Sequence, residues 1–187
     1  NAHDLLGIPE SVWPLIARSW LRGEPSLYGR MDLRWDGTGP PKLLEYNADT
    51  PTSLFESSVI QWEWLRCAHP DADQFNSIHE ALIAAWPTLG LPPRVHFACM
   101  RDTVEDKGNV DYLRDTATQA GLDAPFLYVD DIGWDGTRFA DLDGGTIEAI
   151  FKLYPWEFLL RDAFGHHVSA TRWIEPAWRL MLSSKGI

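Results

Sequence analysis

The 187-residue chain has 45% hydrophobic and 23% charged residues, a balance typical of a globular protein with one large domain or two small ones. Its formal net charge of -11 argues against a nucleic-acid-binding protein, because such proteins carry clustered basic residues. No run of about 18 apolar residues is present, so the sequence predicts no membrane-spanning helix.

The acidic surplus and the two cysteines set expectations about partners and compartment. Excess negative charge suits a cationic substrate such as a polyamine, and solubility is the simpler explanation of the same charge. Cys67 and Cys99 do not make a disulfide framework, which favours a reducing compartment, the cytoplasm. The chain opens on Asn1 and stops after Ile187 without a tail-like segment, so we expect a piece of a longer protein. The pattern does not indicate an oligomeric state.

The first half of the chain predicts helices around a β-hairpin. Its apolar residues recur at helical or alternating spacing, and Gly, Pro and Asp separate the segments. The predicted elements are a helix that Ser11 caps and that ends before Gly23, strands over 27–35 and 42–47 joined by the turn 36–41, a helix from Thr52 or Ser53 to Leu65, and a helix over 76–86.

The second half predicts a βαβ unit, with a strand over 94–100, a helix over 104–121 and a strand over 126–129. This order of elements is typical of a parallel sheet. A further strand over 146–152 and a short helix over 155–164 follow. The predicted fold is α/β, with a mixed sheet that contains the βαβ portion, helices on its faces and the hairpin at one rim.

The predicted hairpin places four functional side chains on one face. Residues two apart in a strand share a face, so Arg30 lies beside Asp32 and Glu45 lies beside Asn47. If the turn is centred between Thr38 and Gly39, Asp32 faces Glu45 and Arg30 faces Asn47. The other face is then apolar and pairs Met31 with Tyr46 and Leu33 with Leu44.

The chemistry of this polar face points to a cation and a phosphoryl group. Opposed Cβ atoms in such a hairpin lie about 4.5–5.5 Å apart, and two carboxylates at that spacing repel each other unless a cation or a proton intervenes. Oxygen ligands from Asp32, Glu45 and Asn47 suit Mg²⁺ rather than zinc. The planar guanidinium of Arg30 could donate two parallel hydrogen bonds to the oxygens of a phosphoryl group. The alternative is a solvated outer face on which Arg30 neutralises the acids.

Five segments together resemble the glutathionylspermidine synthase family of ATP-grasp ligases. They are residues 28–32 (YGRMD), 44–53 (LEYNADTPTS), 101–106 (RDTVED), 151–157 (FKLYPWE) and 184–187 (SKGI). The resemblance covers nearly the whole chain in the order of the family, so it is far more specific than a single short motif. It implies a domain of the type that precedes the ATP-grasp lobes, spanning residues 1–187, with the lobes beginning near 180–187.

The resemblance also implies roles for the polar face of the hairpin. Asp32, Glu45 and Asn47 match the ligands of two magnesium ions, and Arg30 matches the arginine that contacts the transferred phosphoryl group. ATP would be a co-substrate that sequence beyond Ile187 mainly holds, since no glycine-rich phosphate loop is visible in this chain.

Two further pairs are implied to contact the substrates. Thr50 and Thr52 fall where the family has small hydroxyl residues beside a glutathione-like acid, although Pro51 between them departs from the bifunctional members of the family. Glu105 and Asp106 fall at an acidic pair associated with the polyamine end. The same two acids could instead complement the dipole of a helix N-terminus.

The implied reaction is ATP-dependent formation of an amide bond between an acid and an amine through an acyl phosphate, with the isolated chain expected to be inactive. One alternative is a binding module for a peptide, a polyamine or a divalent cation. Another alternative is a metal-assisted hydrolase that uses the same acidic hairpin and needs no nucleotide. Lys152, in a predicted strand, could reach a cleft or form a structural salt bridge.

Overall fold

The computed structural model describes residues 6–183, so the SKGI segment lies outside the described residues, and with it the second half of 180–187, the predicted start of the ATP-grasp lobes. The strands are β1 (Arg30–Arg34), β2 (Lys42–Asn47), β3 (His96–Cys99), β4 (Phe126–Tyr128), β5 (Gly133–Trp134), β6 (Phe139–Ala140), β7 (Ala149–Leu153) and β8 (Arg172–Ile174). The α-helices are α1 (Trp13–Leu21), α2 (Gln61–Ala68), α3 (Ile78–Ala85), α4 (Val104–Gln119) and α5 (Trp156–Leu159).

A four-stranded sheet in the order β4-β3-β7-β8 forms the centre of the fold. All three neighbouring pairs in this sheet are parallel. The predicted βαβ unit is confirmed, since α4 connects the parallel strands β3 and β4. The α/β fold class is confirmed as well, but the central sheet is parallel rather than mixed, because the hairpin strands form a sheet of their own. Antiparallel strand pairs form two separate two-stranded sheets, β1-β2 and β5-β6.

The central strands are buried on both faces. This explains why the sequences of β3 and β7 are mainly apolar and do not alternate between apolar and polar residues. On one face, Ile150 packs in a core with Ile16 of α1. On the other face, Phe151 packs in a second core with Val110 and Leu113 of α4. Helices therefore cover both faces of the sheet, as predicted.

Several predicted elements change at their ends. The helix predicted from Thr52 or Ser53 contains a π-helical turn at Glu56–Ile60 before α2 begins. The short helix predicted over 155–164 has α-helical geometry only over Trp156–Leu159. The short strand β8 was not predicted, because three residues give too little pattern to recognise. No helix among residues 6–183 combines the length and the apolar character of a membrane span.

Candidate active site

The hairpin has the predicted register where the functional residues lie. Arg30 pairs with Asn47 and Asp32 pairs with Glu45 across β1 and β2. These four side chains therefore share one face, and their geometry follows directly from strand alternation. The structure confirms this convergence, while the roles of the residues stay predictions.

The outer half of the hairpin differs from the prediction. Met31 pairs with Tyr46 as expected, but the register shifts after Asp32 and Leu33 pairs with Leu43. The predicted pairing of Leu33 with Leu44 is therefore wrong, because a β-bulge places an extra residue on β2. Bulges add twist to a hairpin and are frequent beside active sites.

Hydrogen bonds connect the polar side chains into one cluster. Arg30 donates from Nε to Asp32 Oδ1 at 2.9 Å and from Nη2 to Asp32 Oδ2 at 3.3 Å. Its Nη1 donates to Thr52 Oγ1 at 3.0 Å, and its Nη2 lies 3.9 Å from Glu45 Oε1. Asn47 Nδ2 donates to the same Glu45 oxygen at 2.8 Å. Thr52 therefore joins the four predicted residues.

The electrostatics of the cluster favour the charged form of Arg30. The hydrogen bond to Asp32 raises the pKa of Arg30 above its ordinary value, and the negative charges of Asp32, Glu45 and Glu105 act in the same direction. Partial burial opposes them. Glu105, from the first turn of α4, is thus close enough to act on the hairpin.

A buried amide ties α4 to the loop that follows β2. Asn109 is 2% exposed, and its Oδ1 accepts a hydrogen bond from Leu54 N at 2.9 Å. Its Nδ2 donates to Glu105 O at 3.0 Å. The predicted acidic pair, Glu105 and Asp106, lies in the first turn of α4, where it also complements the helix dipole. Both interpretations of this pair therefore fit its position.

The loop that carries Thr50 and Thr52 contains a strained residue. Ser53 has a φ of 62°, which places a non-glycine residue in the left-handed region. Such conformations cost about 1–3 kcal/mol and cluster at active sites and ligand clamps. Thr50 lies half-buried in the same loop, with no hydrogen bond that would assign it a role.

A buried ion pair holds this loop on the central sheet. Lys152 of β7 donates to Asp49 Oδ1 at 2.6 Å, and the side chains are 1% and 5% exposed. The other carboxylate oxygen of Asp49 accepts from Trp156 N at 2.7 Å. Burial lowers the pKa of Lys152, and the charge of Asp49 offsets part of that effect. Of the two possibilities for Lys152, the structure shows the salt bridge.

The donor set fits a magnesium ion that takes part of its shell from elsewhere. Asp32, Glu45 and Asn47 offer only oxygen as ligand atoms, which Mg²⁺ prefers. Among residues 6–183, no three His, Cys, Asp or Glu side chains gather as a metal site. Two carboxylates and one amide therefore suit Mg²⁺ that keeps waters or binds substrate phosphates.

Gly29 provides a test of how tightly the base of the hairpin is packed. A Cβ at this position would lie 2.6 Å from Tyr46 Cε2, and the Tyr46 hydroxyl is held by a hydrogen bond from Arg179. We expect Gly29→Ala to lower the free energy of unfolding by about 1–3 kcal/mol, the cost of overpacking. Denaturant titration would measure this change.

Gly108 is the matched control for Gly29. It lies inside α4, and a Cβ there would meet nothing within 4 Å. Gly108→Ala should raise the free energy of unfolding by up to about 1 kcal/mol, since Ala is the better helix former. Equal effects of the two substitutions would contradict the close packing of Gly29 against Tyr46.

Two curated proteins are similar in sequence to most of this chain. A Haemophilus influenzae protein named "Putative acid--amine ligase" is 46% identical over 183 residues, which cover 92% of this chain and 46% of that protein. Trypanothione synthetase from Crithidia fasciculata is 28% identical over 215 residues, covering 96% of this chain and 32% of that protein. The chain thus spans less than half the length of these curated relatives.

A solved structure supports the fold. The crystal structure named "Putative gamma-glutamylcysteine synthetase" from Methylobacillus flagellatus covers 94% of this chain and 42% of its own, with a TM-score of 0.57 at 13% identity. The family model described as "Glutathionylspermidine synthase preATP-grasp" matches residues 1–187. The chain therefore belongs to the glutathionylspermidine synthase pre-ATP-grasp family.

Proposed function

We propose that the protein containing this chain is an acid–amine ligase that depends on ATP and Mg²⁺. The observation that carries the proposal is the single polar face on which Arg30 lies beside Asp32, Glu45 and Asn47. An arginine, together with two carboxylates and an amide oxygen that can hold Mg²⁺, is a set of groups typical of sites that transfer a phosphoryl group. The relatives named as an acid–amine ligase and a trypanothione synthetase support the same reaction class.

The proposed reaction has two steps. A carboxylate oxygen of the acid attacks the γ-phosphorus of ATP, the bond to ADP breaks, and an acyl phosphate forms. The amine nitrogen then attacks the acyl carbon, phosphate leaves from the tetrahedral intermediate, and the amine loses a proton. No protein side chain needs to act as a nucleophile in either step.

Each residue of the polar face has a proposed role. Asp32, Glu45 and Asn47 would hold the magnesium ions, expected to be two, which neutralise the developing phosphate charge when bound. Arg30 would stabilise the transferred phosphoryl group with N–H donors, since its guanidinium stays charged beside the acids. Thr52 keeps Arg30 in the cluster through its hydroxyl.

The substrates are proposed from the charges around the hairpin. An amine of the polyamine type suits the acidic first turn of α4, where Glu105 and Asp106 lie. A glutathione-like acid would contact the loop that carries Thr50 and Thr52. The net charge of -11 agrees with a cationic substrate.

The test is an assay of phosphate release and product formation with the full-length protein. Glutathione or another γ-glutamyl peptide and a polyamine should release phosphate only when ATP, Mg²⁺ and both substrates are present. Mass spectrometry should detect the amide product. Turnover without a nucleotide would favour the hydrolase, and binding of substrates without any turnover would favour the binding module.

Magnesium binding without nucleotide is expected to be weak. The cluster offers two carboxylates and one amide, and Mg²⁺ usually completes its shell with water and substrate phosphates. Calorimetry of the full-length protein with Mg²⁺ alone should therefore show little or no heat, and the same titration with an ATP analogue present should show binding of Mg²⁺. Tight binding of Mg²⁺ alone would instead favour a dedicated protein cage.

A further inference from the structure

A buried ion pair lies beneath the hairpin, after strand β8. Glu175 is 0% exposed and Arg179 is 3% exposed, and Arg179 Nε donates to Glu175 Oε2 at 3.1 Å. Burying two charges costs free energy that one ion pair rarely recovers, unless other hydrogen bonds use the remaining donors and acceptors. Those other hydrogen bonds identify what the pair does.

The remaining hydrogen bonds go to residues at the base of the hairpin. Glu175 Oε1 accepts from Leu27 N and from Tyr28 N, both at 3.0 Å. Arg179 donates from Nη2 to Tyr28 O at 2.6 Å and from Nη1 to the Tyr46 hydroxyl. The pair therefore forms hydrogen bonds both with the backbone just before β1 and with a side chain of β2.

The two tyrosines that the ion pair contacts lie close in sequence to the residues of the polar face. Tyr28 precedes Arg30 by two residues, and Tyr46 lies between Glu45 and Asn47 on β2. Strand alternation places the Tyr46 side chain on the face opposite those two neighbours. A shift of Tyr46 would therefore displace a carboxylate and an amide of the cluster together.

The outer part of the hairpin gains little support from packing among the described residues. Met31 and Leu33 of β1 are 58% and 54% exposed, and Leu43 and Leu44 of β2 are 57% and 67% exposed. Because these apolar side chains remain at the surface, the orientation of the hairpin depends on how its base is held.

We propose that Arg179 and Tyr46 are positioning residues for the hairpin site. Arg179 donates a hydrogen bond to the Tyr46 hydroxyl, and this contact fixes the part of β2 that also carries Glu45 and Asn47. Tyr46 lies on the face opposite the cluster and Arg179 bonds to its hydroxyl, so each residue acts through the polar face. This inference rests on the proposed function, since it assigns the support of the same site.

The test compares three variants of the full-length protein. Tyr46→Phe removes the hydroxyl that Arg179 contacts, and Arg179→Lys keeps the charge but loses the planar fork. Arg172→Lys is the matched control, because Arg172 donates to Leu89 O and Gly90 O and not to the hairpin. The readouts are the Mg²⁺ dependence of phosphate release, kcat, KM, and hydrogen exchange of peptides over 28–34 and 42–47.

Tyr46→Phe and Arg179→Lys should raise the Mg²⁺ concentration for half-maximal turnover by about 10- to 100-fold, the usual effect of losing a residue that orients metal ligands. The KM values for the acid and the amine should stay near those of the parent protein. Amides of the hairpin should exchange faster, while amides of α4 should not change. Arg172→Lys should leave the Mg²⁺ dependence of turnover unchanged, and a lower Tm is the only effect expected of it.

The inference fails if both hairpin variants behave like Arg172→Lys, with unchanged Mg²⁺ dependence and unchanged hairpin exchange. If Arg179→Lys does not fold, Tyr46→Phe decides, since it removes a single hydroxyl. If the parent protein shows no ligation, the proposed function fails. Hydrogen exchange then decides the positioning inference independently.

Discussion

Asp32→Asn is expected to lower the turnover of the full-length protein by about 100-fold or more, as when a group that stabilises transition-state charge is lost. Asp32 is one of two carboxylates on the polar face, and a neutral amide is a poor substitute for a charged magnesium ligand. Initial rates of phosphate release with acid, amine, ATP and Mg²⁺ measure the effect.

The fold should survive this substitution. The ion pair of Arg30 with Asp32 is about one-third exposed on both sides, so it stabilises the fold by about 1 kcal/mol or less. Loss of one carboxylate also relieves repulsion with Glu45 in the absence of metal. Asp36→Asn is the matched control, since Asp36 contacts Thr38 in the exposed turn of the same hairpin. Full turnover in Asp32→Asn would remove Asp32 from the site.

The site could be predicted from the sequence because its geometry is local. Strand alternation alone places Arg30 with Asp32 and Glu45 with Asn47, and a tight hairpin brings the two pairs together. The bulge could not be predicted in this way. It depends on which of Leu43 and Leu44 pairs with Leu33, and both are apolar.

The βαβ unit was also predictable, because buried parallel strands are short apolar runs separated by a long helix. The buried contacts that hold the hairpin against the central sheet were not predictable. Asp49 meets Lys152, and Glu175 meets Tyr28, across more than one hundred residues of chain. A charged residue within an apolar strand was the visible signal at Lys152, but it does not identify the partner. Glu175 gave no such signal, because it follows the strand β8 that was not predicted.

The supports share one place in the topology. Lys152 lies near the carboxyl end of β7, Glu175 follows β8, and α4 begins after β3. In parallel sheets the carboxyl ends of the strands meet at one edge, where ligands usually bind. The hairpin is therefore held at the carboxyl end of the central strands, although its own two strands lie outside that sheet.

Breaking the buried pair of Asp49 and Lys152 is expected to have the largest effect on stability. Lys152→Met leaves the Asp49 carboxylate without its cation in a site where the two side chains are 5% and 1% exposed. Removing one partner of a buried ion pair typically costs about 3–5 kcal/mol. Asp49→Asn should be similarly harmful, because it leaves the buried ammonium group unpaired. Denaturant titration of both single variants measures the loss.

The double variant, Asp49→Asn with Lys152→Met, should be more stable than either single variant. It buries no unpaired charge, and the Asn oxygen can still accept the hydrogen bond from Trp156 N. Glu63→Gln is the control, since its ion pair with Arg66 is more than half exposed and should contribute about 1 kcal/mol or less. Strictly additive losses in the double variant would show that the two charges do not interact. The loop after β2 would then be held mainly by the hydrogen bond from the backbone of α5 to Asp49. In that case Asp49→Ala, which removes this acceptor, would lower the free energy of unfolding more than Asp49→Asn.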